Sequence, residues 1–371
     1  MLDLIFGMLT GMLCGLVPGL HSNTVAALIE NEGYFIVAMF AAQILFSFIP
    51  AIFFSVPDET TVLSVLPGQR MAAKGEGLKA LRIVASSALI TLLISALFYK
   101  YILSVYPVVF ESVLPYIPYI VLFVVVVLVA KSKNPVLYAV LFLSAGILGK
   151  ETLRLGLSDP FLPLFSSMFA LPILIFYKKG KIVEQRDEAP DPKSVLLPSI
   201  MGFLLGIFAV ILPGVSSPAQ VAAFASIGLS EYSYLAILPS IAVSNGFHSF
   251  ISIATVEKAR AGAVVYASKS IDIAENIDSV LLYFSLSMAA AALVLYFLRG
   301  VLIKLAEVDL KPFAVALGVY LVIISLVING SASLPVVAVG FALGTLANLT
   351  RTEKTSLMGA VIFPTLARML F

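Results

Sequence analysis

Long apolar runs follow one another along the chain. Ile83–Tyr99 and Ser279–Phe297 contain no charged residue, and helices of that length match a hydrocarbon core ~30 Å thick. An interrupted segment at 2–29 is followed by predicted hydrophobic helices near 34–56, 78–99, 116–130, 135–149 and 160–177. A second interrupted segment at 195–228 precedes others near 232–254, 277–298, 312–329, 334–349 and 357–371. No stretch alternates with a period of two, which excludes a β-barrel. Several segments fall short of the ~20 residues a straight span needs and are expected to tilt or to cross incompletely.

The one long polar stretch, Lys178 to Ser194, separates residues 1–177 from 195–371 and reads as a linker. The two halves are equal in length and share motifs. A shift of 195 superposes Gly202 on Gly7, Gly206 on Gly11 and Pro213 on Pro18. Gly146 and Gly149 resemble Gly340 and Gly344, and Phe169-Ala170-Leu171-Pro172 resembles Val361-Ile362-Phe363-Pro364. The predicted fold is therefore an all-α polytopic membrane protein of two related repeats, 1–177 and 195–371. Each repeat is read as a Pro-Gly-broken re-entrant hairpin followed by about five crossings, an odd number that inverts the second repeat; a broken segment 195–228 that crosses fully is the alternative, and repeat parity, inverted or parallel, stays open.

Lysine and arginine placement sets the orientation. The connections 57–82, 131–133 and 178–194 hold eleven basic residues and are expected in the cytoplasm, opposite Lys100, Lys150 and Arg154. In the hairpin reading, 184 and 350 both face the cytoplasm. With Asp3 in place of a basic n-region, a cleaved signal peptide is not expected. Tyr99, Tyr101, Tyr106, Tyr116 and Tyr119 cluster at one predicted boundary, as interfacial anchors do.

The interruptions carry the candidate chemistry. Proline lacks an N–H, and glycine tolerates positive φ. Pro18-Gly19 and Pro213-Gly214 should break their helices and free backbone groups that lipid cannot satisfy. Ser22, Asn23 and Thr24 follow in one half, Ser216 and Ser217 in the other, all helix-capping types with hydroxyl or amide groups. Half-helices starting there aim N–H groups and a positive dipole end at a cavity, which suits an anion. Gln220 is a further donor. Gly7, Gly11 and Gly15 form a small-residue series read as a close helix-packing face.

The chain has two histidines, His21 beside the first Pro-Gly and His248 in a later apolar segment. Histidine within a span usually faces the bundle interior or a cavity, and its pKa suits proton coupling. Asp58 and Glu59 are read either as a cation or proton site or as caps of the helix that follows.

Composition narrows the function classes. Sixty per cent of residues are apolar and 12% are charged, with a net charge of +2 and no basic tract for nucleic acid. The single Cys14 excludes an intramolecular disulfide and reads as a packing residue. No metal-ligand spacing, cofactor motif or nucleophilic triad is present, so an enzyme is not expected. A membrane scaffold or intramembrane enzyme stays as an alternative of another class.

Two blocks carry a resemblance. Pro67-Gly68-Gln69-Arg70-Met71-Ala72-Ala73-Lys74-Gly75-Glu76-Gly77-Leu78-Lys79-Ala80-Leu81, together with Gly15-Leu16-Val17-Pro18-Gly19-Leu20, resembles the large membrane subunit of tripartite tricarboxylate transporters, the TctA type. That resemblance implies secondary transport of carboxylate anions driven by an H⁺ or Na⁺ gradient. It also implies a small membrane subunit and an extracytoplasmic binding protein as partners. The chain departs from the family's pattern at Pro57-Asp58 and at Pro67. Pro213-Gly214-Val215-Ser216-Ser217 also resembles the paired motifs of a polyprenyl-phosphate translocase family, whose anion would be a lipid phosphate. A multi-pass protein of the cell membrane is expected, and its oligomeric state, homo-oligomer included, stays open.

Overall fold

The computed structural model describes residues 2–16, 22–29, 32–53, 65–175, 184–211, 229–259, 261–306 and 311–370, and every regular element among them is helical. In order these are α1 (Leu2–Leu16), α2 (Ser22–Leu28), α3 (Gly33–Phe46), α4 (Phe48–Phe53), α5 (Val65–Ala73), α6 (Gly77–Val113), α7 (Ile117–Lys131), α8 (Pro135–Arg154), α9 (Phe161–Phe165) and α10 (Leu171–Ile175). After the linker come α11 (Pro192–Ile211), α12 (Glu231–Val256), α13 (Gly262–Ser268), α14 (Ile277–Ala306), α15 (Lys311–Asn329), α16 (Ser333–Leu349) and α17 (Gly359–Leu370). Among the described residues, six spans are long and apolar enough to cross a membrane, Gly33–Phe53, Pro192–Ile211 and Glu231–Val256 being three of them. The protein is a multi-pass membrane protein.

Local chemistry starts several of these helices. Asn134 Oδ1 accepts from Leu137 N at 3.2 Å, just before Pro135 at the first position of α8. Ser230 caps α12 by accepting from Ser233 N at 3.1 Å. One element runs longer than its apolar signal. The predicted segment 78–99 continues as α6 to Val113, through Pro107. Tyr106 and Phe110 keep the helical period and are buried, so packing carries the helix past its polar-looking boundary. Tyr101, Tyr116 and Tyr119 are exposed as interfacial anchors should be, whereas Tyr106 turns inward and donates to Ser252 Oγ at 3.0 Å.

Two helix pairs use the same backbone contact. On α1, Gly7 lies against the Phe35 carbonyl, 2.5 Å from where a Cβ would stand, with Gly11 on the Met39 carbonyl and Gly15 on Phe46. On α11, Gly202 lies against the Ile237 carbonyl and Gly206 against that of Ile241, each 2.8 Å from the would-be Cβ. Absent side chains let the backbones close, as small-residue interfaces do in membranes. In each pair the contacts climb both helices together, so α1 runs alongside α3 in the same direction, and α11 alongside α12.

The remaining contacts fix directions. Tyr34 meets Tyr283, and Ser287 Oγ donates to Ala38 O at 2.7 Å, so α14 runs with α3. Tyr232 OH donates to Glu76 at 2.7 Å, Ser240 Oγ to Ser87 O at 3.4 Å, and Tyr106 to Ser252, so α12 runs with α6. Arg82 sits over Tyr296, while Tyr99 OH donates to Asp278 at 3.0 Å, which sets α6 against α14. Thus α1, α3 and α14 share one direction, and α6, α11 and α12 the other.

Two main bodies result. The larger core joins α1, α3, α4, α6 and α11 to α14. A second core joins α7, α8, α9, α16 and α17, with α10 and α15 packed at its side. In the second body the halves exchange helices. Gly149 of α8 meets the Ala360 carbonyl of α17, and Gly344 of α16 meets the Met168 carbonyl in the π-type turn between α9 and α10. The turns match as well. Lys133 N donates to Glu353 Oε1 at 3.2 Å, and Asp159 N to Asn329 Oδ1 at 2.8 Å.

Candidate functional site

On α1 the third glycine of the series, Gly15, abuts Phe46 and the Ser47 amide. α2 restarts with Ser22, whose N–H donates to Gln43 Oε1 at 3.0 Å. Gln43 is the middle of the 21-residue span Gly33–Phe53. A backbone donor at the first position of α2 is thus met by a buried side-chain amide, as a lipid environment demands. Ser22 is fully buried, and its Oγ has no hydrogen-bond partner. Asn23 Oδ1 accepts from Ala263 N at 2.7 Å and so ties α2 to the start of α13. Thr24 follows within α2. Pro18, Gly19, His21, Asp58, Glu59, Pro213, Gly214, Ser216, Ser217 and Gln220 lie outside the described residues.

His248 is on α12 and fully buried. Its Nδ1 lies 2.7 Å from Ser244 O, a pure acceptor, so Nδ1 donates there, and Nε2 has no partner. Ser244 Oγ in turn donates to Phe203 O at 2.7 Å, across the α11–α12 contact. The edge-on rings of Phe203 and Phe247 close in on the imidazole, with centroids 5.6 and 5.3 Å away.

Further polar groups share this core without having been singled out from the sequence. Gln43 and Ser47 stand four apart on the span that begins with α3, and Asn245 and Ser249 four apart on α12, all buried. Ser47 Oγ donates to Ile44 O and Ser249 Oγ to Asn245 O, so each serine is satisfied within its own helix. Asn245 Nδ2 is buried without a partner. On α6, Thr91 and Ser95 follow Ser87 down one face, and the hydroxyl of each is also buried and unpaired. The signal that finds the amides is a shift of 202, which carries Phe35, Met39, Gln43 and Ser47 onto Ile237, Ile241, Asn245 and Ser249. The shift that matches the preceding glycine helices is 195, so a search at 195 misses them.

The block at 67–81 forms a polar end to this body. It comprises most of α5, a tight turn in which Gly75 takes φ 84°, and the first turn of α6. The linker lies across it. Gln185 donates to Ala72 O at 2.9 Å and accepts from Gly77 N at 2.8 Å, while Arg186 N donates to Gly75 O at 2.7 Å. Arg82 pairs with Asp187 at 2.7 Å, and Arg70 and Lys74 reach Glu231 at 3.3 and 2.8 Å.

Known proteins bear on this arrangement. An uncharacterized protein of Methanocaldococcus jannaschii is 26% identical over 393 residues, an alignment covering 99% of this chain and 98% of that protein. No solved structure matches the chain. The family model for the tripartite tricarboxylate transporter TctA family matches residues 1–361. That match takes in both helix pairs, the 67–81 block and all but the end of the exchanged body, and the chain belongs to the TctA family.

Proposed function

We propose that this chain is a secondary active transporter of a small organic anion of the carboxylate class, acting across the cell membrane. Its two inverted repeats, 1–177 and 195–371, would each present a broken hairpin to a shared site near the midplane. One observation carries the reading: equivalent helix pairs, packed through the same glycine-to-carbonyl contacts, run in opposite directions around a buried polar centre. Interrupted helices meeting near mid-membrane at a repeat interface are the usual transporter binding site. The anion is held by Pro18, Gly19, His21, Ser22, Asn23 and Thr24 from one side, and by Pro213, Gly214, Ser216, Ser217 and Gln220 from the other. His21, His248, Asp58 and Glu59 are the candidates for a coupling proton or Na⁺. Membership in a tripartite family supports a small membrane subunit and an extracytoplasmic binding protein as partners.

Alternating access between the two repeats is the expectation from the sequence; in this reading the parts that move are the two bodies. Both halves contribute to each body. The body holding both helix pairs moves the anion against the body built from exchanged helices. The face with Arg70, Lys74, Lys79, Arg82, Arg186 and Lys193 is cytoplasmic, since its basic residues outnumber Lys100 and the Lys258, Arg260 and Lys269 of the 257–276 connection.

Two experiments test this. In the purified protein, citrate at a hundred times its dissociation constant should stabilise the fold by about 2.7 kcal/mol. Ser22→Ala combined with Ser217→Ala should abolish that shift and leave the unliganded fold intact; unchanged affinity would remove the site. Single cysteines at 184 and 350 should both be labelled from the cytoplasm, and labelling from opposite sides would refute the inversion.

A further inference from the structure

We propose that Asn245 is a direct anion ligand and that Gln43, its counterpart in the other half, is the residue that positions the first hairpin. The inference rests on the transport reading above. The two amides are related by more than sequence. The shift of 202 that carries Gln43 onto Asn245 also carries Ala38 onto Ser240 and Ala42 onto Ser244, the side chains that the paired glycines touch. Ile44 meets Gly246, its own counterpart, with Ile44 Cδ1 2.6 Å from a would-be Cβ. A contact between a residue and its own equivalent marks the line about which the halves are related. Gln43 and Asn245 each immediately precede it.

Equivalent places carry unequal duties. Gln43 uses its carbonyl oxygen to hold Ser22 N–H. The Asn245 amide nitrogen holds nothing, although the residue is only 6% exposed. A buried donor left unpaired costs the protein its full desolvation penalty, and native structures rarely keep one without a reason. An NH₂ group only donates, so the missing partner is an acceptor. A carboxylate oxygen supplies the acceptor, and a hydrogen bond to an ionised group is the stronger kind. Ser22 Oγ, buried and unpaired on the opposite hairpin, is a second donor of the same sort.

The test compares unliganded stability with anion binding in the purified full-length protein, using citrate, inorganic phosphate and a short-chain prenyl phosphate as probes. Asn245→Leu removes a donor that the unliganded protein does not use. Its unliganded Tm should equal or exceed the wild type's, while the anion that stabilises the wild type binds about ten- to a hundredfold more weakly. Asn245→Asp keeps the shape and substitutes an acceptor; it should lose binding equally, and it serves if the leucine variant does not fold. Binding as tight as wild type in either variant overturns the proposal and leaves the transport reading standing. Stabilisation of the wild type by a phosphate probe alone, lost in Asn245→Leu, upholds Asn245 and overturns the carboxylate class. No stabilisation of the wild type by any probe overturns both.

Discussion

The α1–α3 and α11–α12 pairs share a backbone contact and differ in what that contact supports. Gly7 and Gly11 meet the carbonyls of Phe35 and Met39, and Gly202 and Gly206 meet those of Ile237 and Ile241. Around this common frame the side chains diverge. Where the first pair has Phe46, the second has His248; where the first has a satisfied glutamine, the second has an unsatisfied asparagine. Beside the first pair the Ser22 N–H is held by Gln43 and Asn23 is tied to Ala263, while Ser22 Oγ is left unpaired. On the second pair the unpaired atoms are Asn245 Nδ2 and His248 Nε2. The two frames are alike in backbone contact and unlike in the polar groups they hold.

The frame itself is the easiest part to break. Gly11→Leu places a side chain where the Met39 carbonyl stands, and the pair cannot close. Overpacking of this kind costs about 1–3 kcal/mol or more, and here it falls on backbone, which does not yield. The variant is expected to lose most of its folded fraction in detergent, read by size-exclusion profile and Tm. Gly300→Ala is the control, since nothing lies within 4 Å of the added Cβ; it should be neutral or gain up to about 1 kcal/mol from helix propensity. Next in size is Gln43→Leu, which orphans Ser22 N–H at mid-membrane. A loss of about 1–3 kcal/mol is expected, visible as a lower Tm without ligand. If Gln43→Leu proved as stable as the wild type, the contrast with Asn245 would collapse.

The glycine frames were legible in the sequence for a physical reason. A backbone-to-backbone contact needs the absence of side chains, and absence is written as glycine at fixed spacing. Pro18-Gly19 and Pro213-Gly214, read from the sequence as interruptions, lie outside the described residues. Gln43 and Asn245 were hidden because the connection between the paired helices differs in length between the halves, which changes the matching shift from 195 to 202. Tyr106 was misread because tyrosine suits both an interface and a buried hydrogen bond, and only Ser252 from the other half decides between them. The exchange of helices between halves was not legible either, since Gly149 and Gly344 mark packing faces without naming their partners. His248 was singled out as a rare polar residue in a span, but its neighbours Phe203 and Ser244 emerge only from packing.

The exchanged body offers a subtler contrast of the same kind. Its two matched turns are pinned by different acceptors, a carboxylate at Glu353 and an amide at Asn329. Burial raises the Glu353 pKa, but hydrogen bonds from Ser132 Oγ at 2.7 Å and from its own and Lys133's backbone, with the Lys133 charge, outweigh that and leave it below the usual 4.5. A carboxyl whose pKa is lower when folded stabilises the fold above its unfolded pKa. That contribution is lost as pH falls through the folded value. The pin at Asn329 has no such dependence. Between pH 7 and pH 3, Tm should therefore fall in part because the Glu353 pin is released. Lys354 next to it, whose pKa burial lowers to about 8, stays largely charged over that range and does not confuse the reading. Glu353→Gln keeps an acceptor for Lys133 N–H and should flatten the acid limb by a few tenths to about 1 kcal/mol, since the group is partly exposed. Asn329→Ala should instead lower Tm by the same amount at every pH. An acid limb unchanged in Glu353→Gln would mean that the two turns are held alike, and that the carboxylate adds no pH-dependent hold on the exchanged helices.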